Sequence, residues 1–281
     1  MTAIKKIICS LDFSPAAENA LSYAFRLADV YQAEVKLLHV LEPVSDAMLE
    51  IPQTVPTINR KLLDDARVNL QKLAEDTLTK MGDQLKNEIT LTTEVEIGPV
   101  GITINELAEE EADLIVVGTR GAAGKPWWMS SVSKDIIDHP TVPVLIVPAA
   151  AGYQPLDRIS FATDLHRADV VHLLKLVDFL KPQQPELRCL HIVTDDDERT
   201  EMDLDELIGV FKNQLQGVNI TFHQSEEEDT TEALEAFNLM YHIDLQVLVR
   251  PRRNFFQELF HRSQSKRTAE YTHVPLLIWP G

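Results

Sequence analysis

Cysteine, glycine and positive charge are all in short supply in this 281-residue chain, and each shortage removes a class of function. Two cysteines, Cys9 and Cys189, form no C-x-x-C pair and no zinc-ligand spacing, which excludes a disulfide scaffold and a structural zinc module. Lys and Arg number 26 against 44 Asp and Glu, giving a net charge of −18 and a pI of about 4.8. A DNA- or RNA-binding surface needs a basic face, so no nucleic-acid partner is expected. No apolar run approaches the roughly 20 residues of a membrane helix. The first residues enter a strand pattern with no signal-peptide core, so the reading is a cytoplasmic protein with no membrane partner. Catalytic signatures are missing as well: there is no P-loop, no G-x-S-x-G and no H-E-x-x-H. The nine histidines are scattered without ligand spacing, so no metal site is expected.

Glycine is rare, with ten in the chain, yet Gly118, Gly121 and Gly124 fall in one loop. That loop sits inside the stretch from Asp113 to Pro148. Leu114 to Val117 is a short, β-branched apolar run of the kind buried on both faces of a parallel sheet. The run stops at Gly118, where glycine permits positive φ or close approach of a ligand to the main chain. Ser130 and Ser131 stand where a helix would start, and serine caps free helix N–H groups. Val142 to Val147 reads as a second buried strand. Strand, glycine loop, helix start and strand together suit an anion, most simply a phosphate.

These residues resemble the C-terminal signature of the universal stress protein family: a strand ending in Gly, G-x-x-G, a spacer, G-S or G-T, a helix, and a C-P-V-L-V-V-like strand. In members of that family that bind ATP, the loop wraps the phosphates and ribose. Gly118 and Gly121 match the first two glycines, Ser131 the hydroxyl residue and Val132 the apolar residue after it. The chain departs from the pattern in two places: its spacer is eight residues rather than nine, and Ser130 stands at the third glycine. The resemblance implies a Rossmann-like α/β fold of the adenine nucleotide alpha hydrolase type, with ATP, alone or with Mg, as the ligand.

The first half reads β-α-β-α-β-α-β-α-β, a doubly wound parallel sheet of five strands with helices on both faces. Ile4 to Cys9 is strand one, followed by a helix from Pro15 with Ser14 as its cap. Asp12 therefore sits at the carboxyl tip of that strand, where open α/β sheets bind ligands. The resemblance places Asp12 near adenine and ribose, and it gives the backbone of Val40, at the end of the strand Glu34 to Val40, to adenine. Asp12 also suits a plain turn role, and His39 reads as a structural histidine ending a buried strand. A proline-rich loop from Glu42 to Asn59 precedes a helix expected from about Arg60 to Met81, and Ile89 to Ile97 alternates as a strand. Trp127 and Trp128, inside the glycine loop, read as packing groups rather than base-stacking ones.

The second half repeats the first. Asp164 falls under Asp12 and His191 under His39 at an offset of 152, and Pro275 falls under Pro143 at 132. An ungapped register of residues 116–148 against 248–280 sets Arg250 at Gly118, Arg253 at Gly121 and Arg262 at Ser130. The reading is two tandem domains: residues 1–148 with the glycine loop largely retained, a linker at 149–156, and a degenerate domain at 157–281. The deficit in length is assigned to the proline-rich loop. Arg250, Arg252, Arg253 and Arg262 form a possible anion or partner patch, or pair with acids of the same chain. Family members pair through the last strand, so Val142 to Val147 and Val274 to Trp279 are expected to pair within the chain as a pseudo-dimer, with a homodimer possible beyond it. Two functions fit. One is a stress-response switch that binds ATP or a related nucleotide in the first domain through Asp12, Val40, Gly118, Gly121, Ser130, Ser131 and Val132, without being an enzyme beyond slow hydrolysis. The other is an interaction module that binds no nucleotide.

Overall fold

The computed structural model of the chain describes residues 4–43, 55–119, 136–137, 140–193, 203–214, 217–227, 229–249 and 274–281. Strand β1 (Lys6–Ser10) leads into helix α1 (Pro15–Tyr31), and β2 (Glu34–Leu41), α2 (Val55–Met81), β3 (Leu91–Ile97), α3 (Val100–Glu111), β4 (Leu114–Gly118) and β5 (Val144–Val147) follow. The second half contains β6 (Arg158–Ala162), α4 (Arg167–Phe179), β7 (Glu186–Ile192), α5 (Leu204–Gln214), β8 (Ile220–Ser225), α6 (Thr230–Met240), β9 (Leu245–Val249) and β10 (Leu276–Trp279). Ile136 and Ile137 are helical and buried.

All ten strands join one sheet in the order β3-β2-β1-β4-β5-β10-β9-β6-β7-β8. Every neighbouring pair is parallel except β5 with β10, which is antiparallel, with Leu145 opposite Leu277. The sheet is thus two five-stranded, doubly wound halves joined edge to edge. The central runs are apolar because parallel strands are covered on both faces: β4, β5 and β10 are buried at every residue. Each sheet face has its own core, and each core draws residues from both halves. Trp279, fully buried, meets Phe179 edge-on at 5.2 Å, and Phe179 lies 6.3 Å from Tyr31 across the seam.

The two-fold repeat is visible in backbone detail. Phe13 and Leu165, 152 residues apart, both take positive φ at the turn out of the first strand (60° and 56°). Gln32 and Gln184 repeat this after the first helix (54° and 48°). Tyr31 and Gln183 occupy corresponding positions and meet each other, the Gln183 amide donating to the Tyr31 hydroxyl at 3.2 Å. The pseudo-symmetry axis therefore passes close to this pair.

Three expectations from the sequence shift. Helix α2 begins at Val55, not near Arg60, because Pro56 is tolerated in a first turn. Strand β5 begins at Val144, since Pro143 has no N–H to give; its carbonyl still accepts from Ile115 at 2.9 Å. The shorter second half is not explained by the proline-rich loop alone: α2 has 27 residues where the described α5 has 11. Residues 149–156 are well anchored for a linker. Asn19 donates to the carbonyls of Pro148 and Ala151 (both 2.8 Å), Tyr23 donates to Gly152 at 2.9 Å, and Arg26 lies 4.9 Å over the Tyr153 ring.

Candidate functional site

In the first half the strand order reverses between β1 and β4, and a crevice at such a reversal is where open α/β sheets hold ligands. The residues at these two tips are Leu11, Asp12 and Phe13 after β1, and Gly118 and Thr119 at the end of β4. The turn after β1 is held from several sides. Leu11 N–H donates to Leu38 O at 2.9 Å, and the Asp12 carboxylate accepts from Ser14 N–H at 3.0 Å. Ser14 Oγ accepts from Ala17 N–H at 3.2 Å as the cap of α1. His39 Nδ1 lies 2.6 Å from the Leu11 carbonyl, and its ring packs 4.6 Å from that of Phe13. His39 is thus a strut beneath the turn. Its counterpart His191 lies 3.0 Å from the Thr163 carbonyl in the same way.

Gly118 is required here for a reason that differs from the sequence expectation. Its φ is not positive, but a Cβ built on it would lie 2.6 Å from the carbonyl oxygen of Ala16 and 2.9 Å from the nitrogen of Ala17. Those are backbone atoms of the first turn of α1, which cannot rotate away. The missing side chain therefore lets the amino end of α1 rest directly on the tip of β4. That brings the positive end of a 17-residue helix to the head of the glycine loop. Thr119, buried beside it, takes part in fixing the loop's start: its N–H donates to Val147 O at 3.1 Å, and its hydroxyl accepts from Ala149 N–H at 3.3 Å.

Of the residues expected at the site, Asp12 and Gly118 lie at these two tips, and Val40 is buried near the end of β2, the strand next to β1. Asp12 is partly exposed. Gly121, Ser130, Ser131 and Val132 lie outside the described residues, as do Gly124, Trp127 and Trp128. Arg250, Arg252, Arg253 and Arg262 lie outside them too. Sequence reasoning placed Ser14 as the cap of α1, which the structure bears out at a buried position, but did not single out Thr119 or Phe13. A signal existed for the last, since a turn between a strand tip and a capped helix needs an unusual backbone angle.

The register of the repeat needs correction at β9. Gly118 pairs with Val147, and the matching pair in the second half is Val249 with Trp279, so Val249 rather than Arg250 stands at the Gly118 position. The start of the strand agrees. Asp113 accepts from Lys6 N–H at 3.0 Å and Asp244 from Arg158 N–H at 2.9 Å, which makes 113 and 244 equivalent. Arg250 thus falls one position past the glycine's counterpart. The second half does keep the turn out of its first strand, with Thr163, Asp164 and Leu165, but Asp164 is exposed there. Thr163 is tied to Asp169 at 2.7 Å. A valine side chain at the β9 tip is compatible only with a helix that stands back, and among the described residues α4 makes no approach to β9 like that of α1 to β4.

Cys9 and Cys189 are both buried inside their strands, and burial pushes both thiols well above the ordinary range, so neither serves as a nucleophile. Among the described residues no cluster of three His, Cys, Asp or Glu side chains could hold a metal ion, and no helix is long and apolar enough to cross a membrane.

A profile described as the universal stress protein family matches residues 3–148, more than half of the chain. The chain belongs to that family. It is 29% identical over 147 residues to universal stress protein YxiE of Bacillus subtilis, an alignment covering 50% of this chain and 97% of that protein. It is 31% identical over 135 residues to universal stress protein G of Salmonella typhimurium, covering 47% and 88%. The crystal structure of a universal stress protein from Archaeoglobus fulgidus superposes on 98% of both chains with a TM-score of 0.67 at 17% identity, which shows that the ten-stranded, two-half fold recurs.

Proposed function

We propose that the first half binds an adenine nucleotide at the tips of β1 and β4, and that occupancy rather than chemistry is the output: a regulatory switch in a stress response. The observation that carries this reading is the seat of α1 on Gly118. The helix amino end rests so closely on the head of the glycine loop that an added Cβ would meet its backbone at under 3 Å, and that combination favours phosphate. The Asp12 carboxylate, on the same turn, is suited to a ribose hydroxyl, and the backbone at Val40 to the adenine edge. Gly121, Ser130, Ser131 and Val132 complete the site in this reading. ATP, with Mg carried on its phosphates, is the ligand that the family resemblance favours. Domains at 1–148 and 157–281, joined through 149–156, belong to the same proposal, with one site per chain because Val249 takes the place of the seating glycine.

A reading without nucleotide is favoured by one specific feature, the eight-residue spacer ending in Ser130 instead of glycine. Calorimetric titration of nucleotide-free protein with Mg-ATP separates the two, run beside Asp12→Ala and Gly121→Arg. The switch predicts one site per chain, weakened at least about tenfold in both variants. No heat at millimolar ATP would leave an interaction module. Two sites per chain would overturn the assignment of Val249.

A further inference from the structure

At the edge of the sheet, two strands away from the nucleotide tips, α2 and β3 border an open groove of about 730 Å³. Its helix wall is Arg67, Val68, Gln71, Lys72 and Glu75, and its strand wall is Thr93 to Glu96. We propose that this groove receives an extended peptide segment of a partner protein, which adds to β3 as an eleventh strand and carries acidic residues on the face toward α2 and basic residues on the other.

Three features lead there. First, β3 pairs only with β2 among the described residues. Thr90 O and Gly98 N–H both bond to β2, so alternation turns the N–H and C=O groups of Leu91, Thr93, Val95 and Ile97 outward. A row of outward groups is a template for strand addition. Second, α2 forms a side wall along this edge. Gln71 lies 3.3 Å from the Thr93 hydroxyl, and Val68, 68% exposed, presents apolar surface in the groove. Third, the two faces differ in net charge. Arg67 and Lys72 stand on the helix side and outnumber Glu75, whose carboxylate already accepts from the Gln71 amide at 2.8 Å; Arg67 is 3.8 Å from Asp64, an exposed pair that competes weakly. Alternation turns Glu94 and Glu96 to the opposite side of the strand, where Glu94 pairs with Lys36 at 2.5 Å. An incoming strand with acids toward α2 and bases toward Glu94 and Glu96 satisfies both faces at once. A second copy pairing β3 with β3 about a two-fold axis does not, because it opposes Glu94 and Glu96 to their own copies.

The test uses the full chain and a fluorescein-labelled nine-residue peptide, Glu-Lys-Glu-Lys-Val-Lys-Glu-Lys-Glu, read by fluorescence anisotropy at low salt. The control peptide has the same composition in blocks, four Glu, Val, four Lys. The alternating peptide is expected to bind saturably and about tenfold more tightly than the block peptide. Thr93→Pro removes one outward N–H at an exposed edge position, where proline is tolerated, and is expected to weaken binding about tenfold with the urea midpoint unchanged. Lys72→Glu, on the exposed helix face, is expected to weaken binding without touching the strand. Equal binding of both peptides, no saturation at millimolar peptide, or unchanged affinity in both variants overturns the proposal. A chain that sediments as a dimer, and as a monomer with Thr93→Pro, assigns the edge to a second copy and overturns the peptide as occupant.

Discussion

Gly118 and Val249 hold the same place in two halves of one fold, and the difference between them is one side chain at a strand tip. At Gly118 even a methyl group meets the backbone of Ala16 and Ala17 at 2.6 to 2.9 Å. Backbone cannot change rotamer, so relief requires α1 to slide off β4, and α1 packs its face of Ala17, Leu21, Ala24 and Ala28 into the core. Gly118→Ala should therefore destabilise the chain by about 1–3 kcal/mol, the usual cost of overpacking, read as a lowered urea midpoint at constant slope. Gly118→Val should cost more than Gly118→Ala. An alanine variant as stable as the parent would mean that the helix seat is soft, and would remove the main support for the phosphate site. The sequence marked Gly118 as special but for ligand approach or positive φ. The true reason, a helix end in contact from 102 positions away in the chain, is a tertiary contact that no local pattern reports.

Strands and helices themselves were largely legible, because parallel strands covered on both faces write themselves as β-branched runs. Boundaries were less so: proline shifted two of them, starting α2 earlier and β5 later. The register of β9 was misread for a related reason. Val116 and Val117 resemble Leu248 and Val249 as well as Val247 and Leu248, so an apolar run does not resist a slip of one residue. The polar anchor does. Asp113 and Asp244 each cap the backbone of the neighbouring first strand, and the Asp-Leu pair that opens both runs was the available signal. At the far edge, β8 and α6 are joined by a cluster with its own pH response. His223 on β8 packs 5.1 Å from Phe237 and 4.8 Å from Tyr241, with the Arg188 guanidinium 4.4 Å over the Tyr241 ring. Burial, then the nearby Arg188 charge, holds the His223 pKa below its ordinary value. The unfolded chain therefore binds this proton more readily than the folded one, and stability rises with pH through that window. The contribution is complete above the unfolded pKa of about 6.5 and is lost as pH falls through the lower folded value. The drop in urea midpoint between pH 7.5 and pH 5 should be smaller in His223→Gln than in the parent. An equal drop in both would mean that the ring is solvated in the folded chain.

The sequence divides the molecule into two domains, yet the sheet and both cores run through the seam. The antiparallel join of β5 and β10 buries Val144, Leu145 and Ile146 against Leu276, Leu277 and Ile278, and each half supplies side chains to both cores. A seam this apolar resembles the inside of a domain more than the polar contacts at which tandem domains usually move. It follows that the two halves should unfold as one unit. Trp279, buried at that seam, can report on it: with Trp127→Phe and Trp128→Phe it becomes the sole tryptophan of the chain. Its fluorescence should then follow the same denaturation curve as the far-ultraviolet circular dichroism of the whole protein, which is the signature of a single transition. Trp279→Ala should lower stability by about 3–5 kcal/mol, as deletion of a large buried ring does, and should lower it for both halves together. Two separated transitions would show that the shared core does not couple the halves. If the transitions coincide, a nucleotide bound at the β1 and β4 tips would stabilise β6 to β10 as well, since whatever binds the folded form stabilises the whole cooperative unit. The second half, without a seating glycine of its own, would then carry the effect of the site in the first.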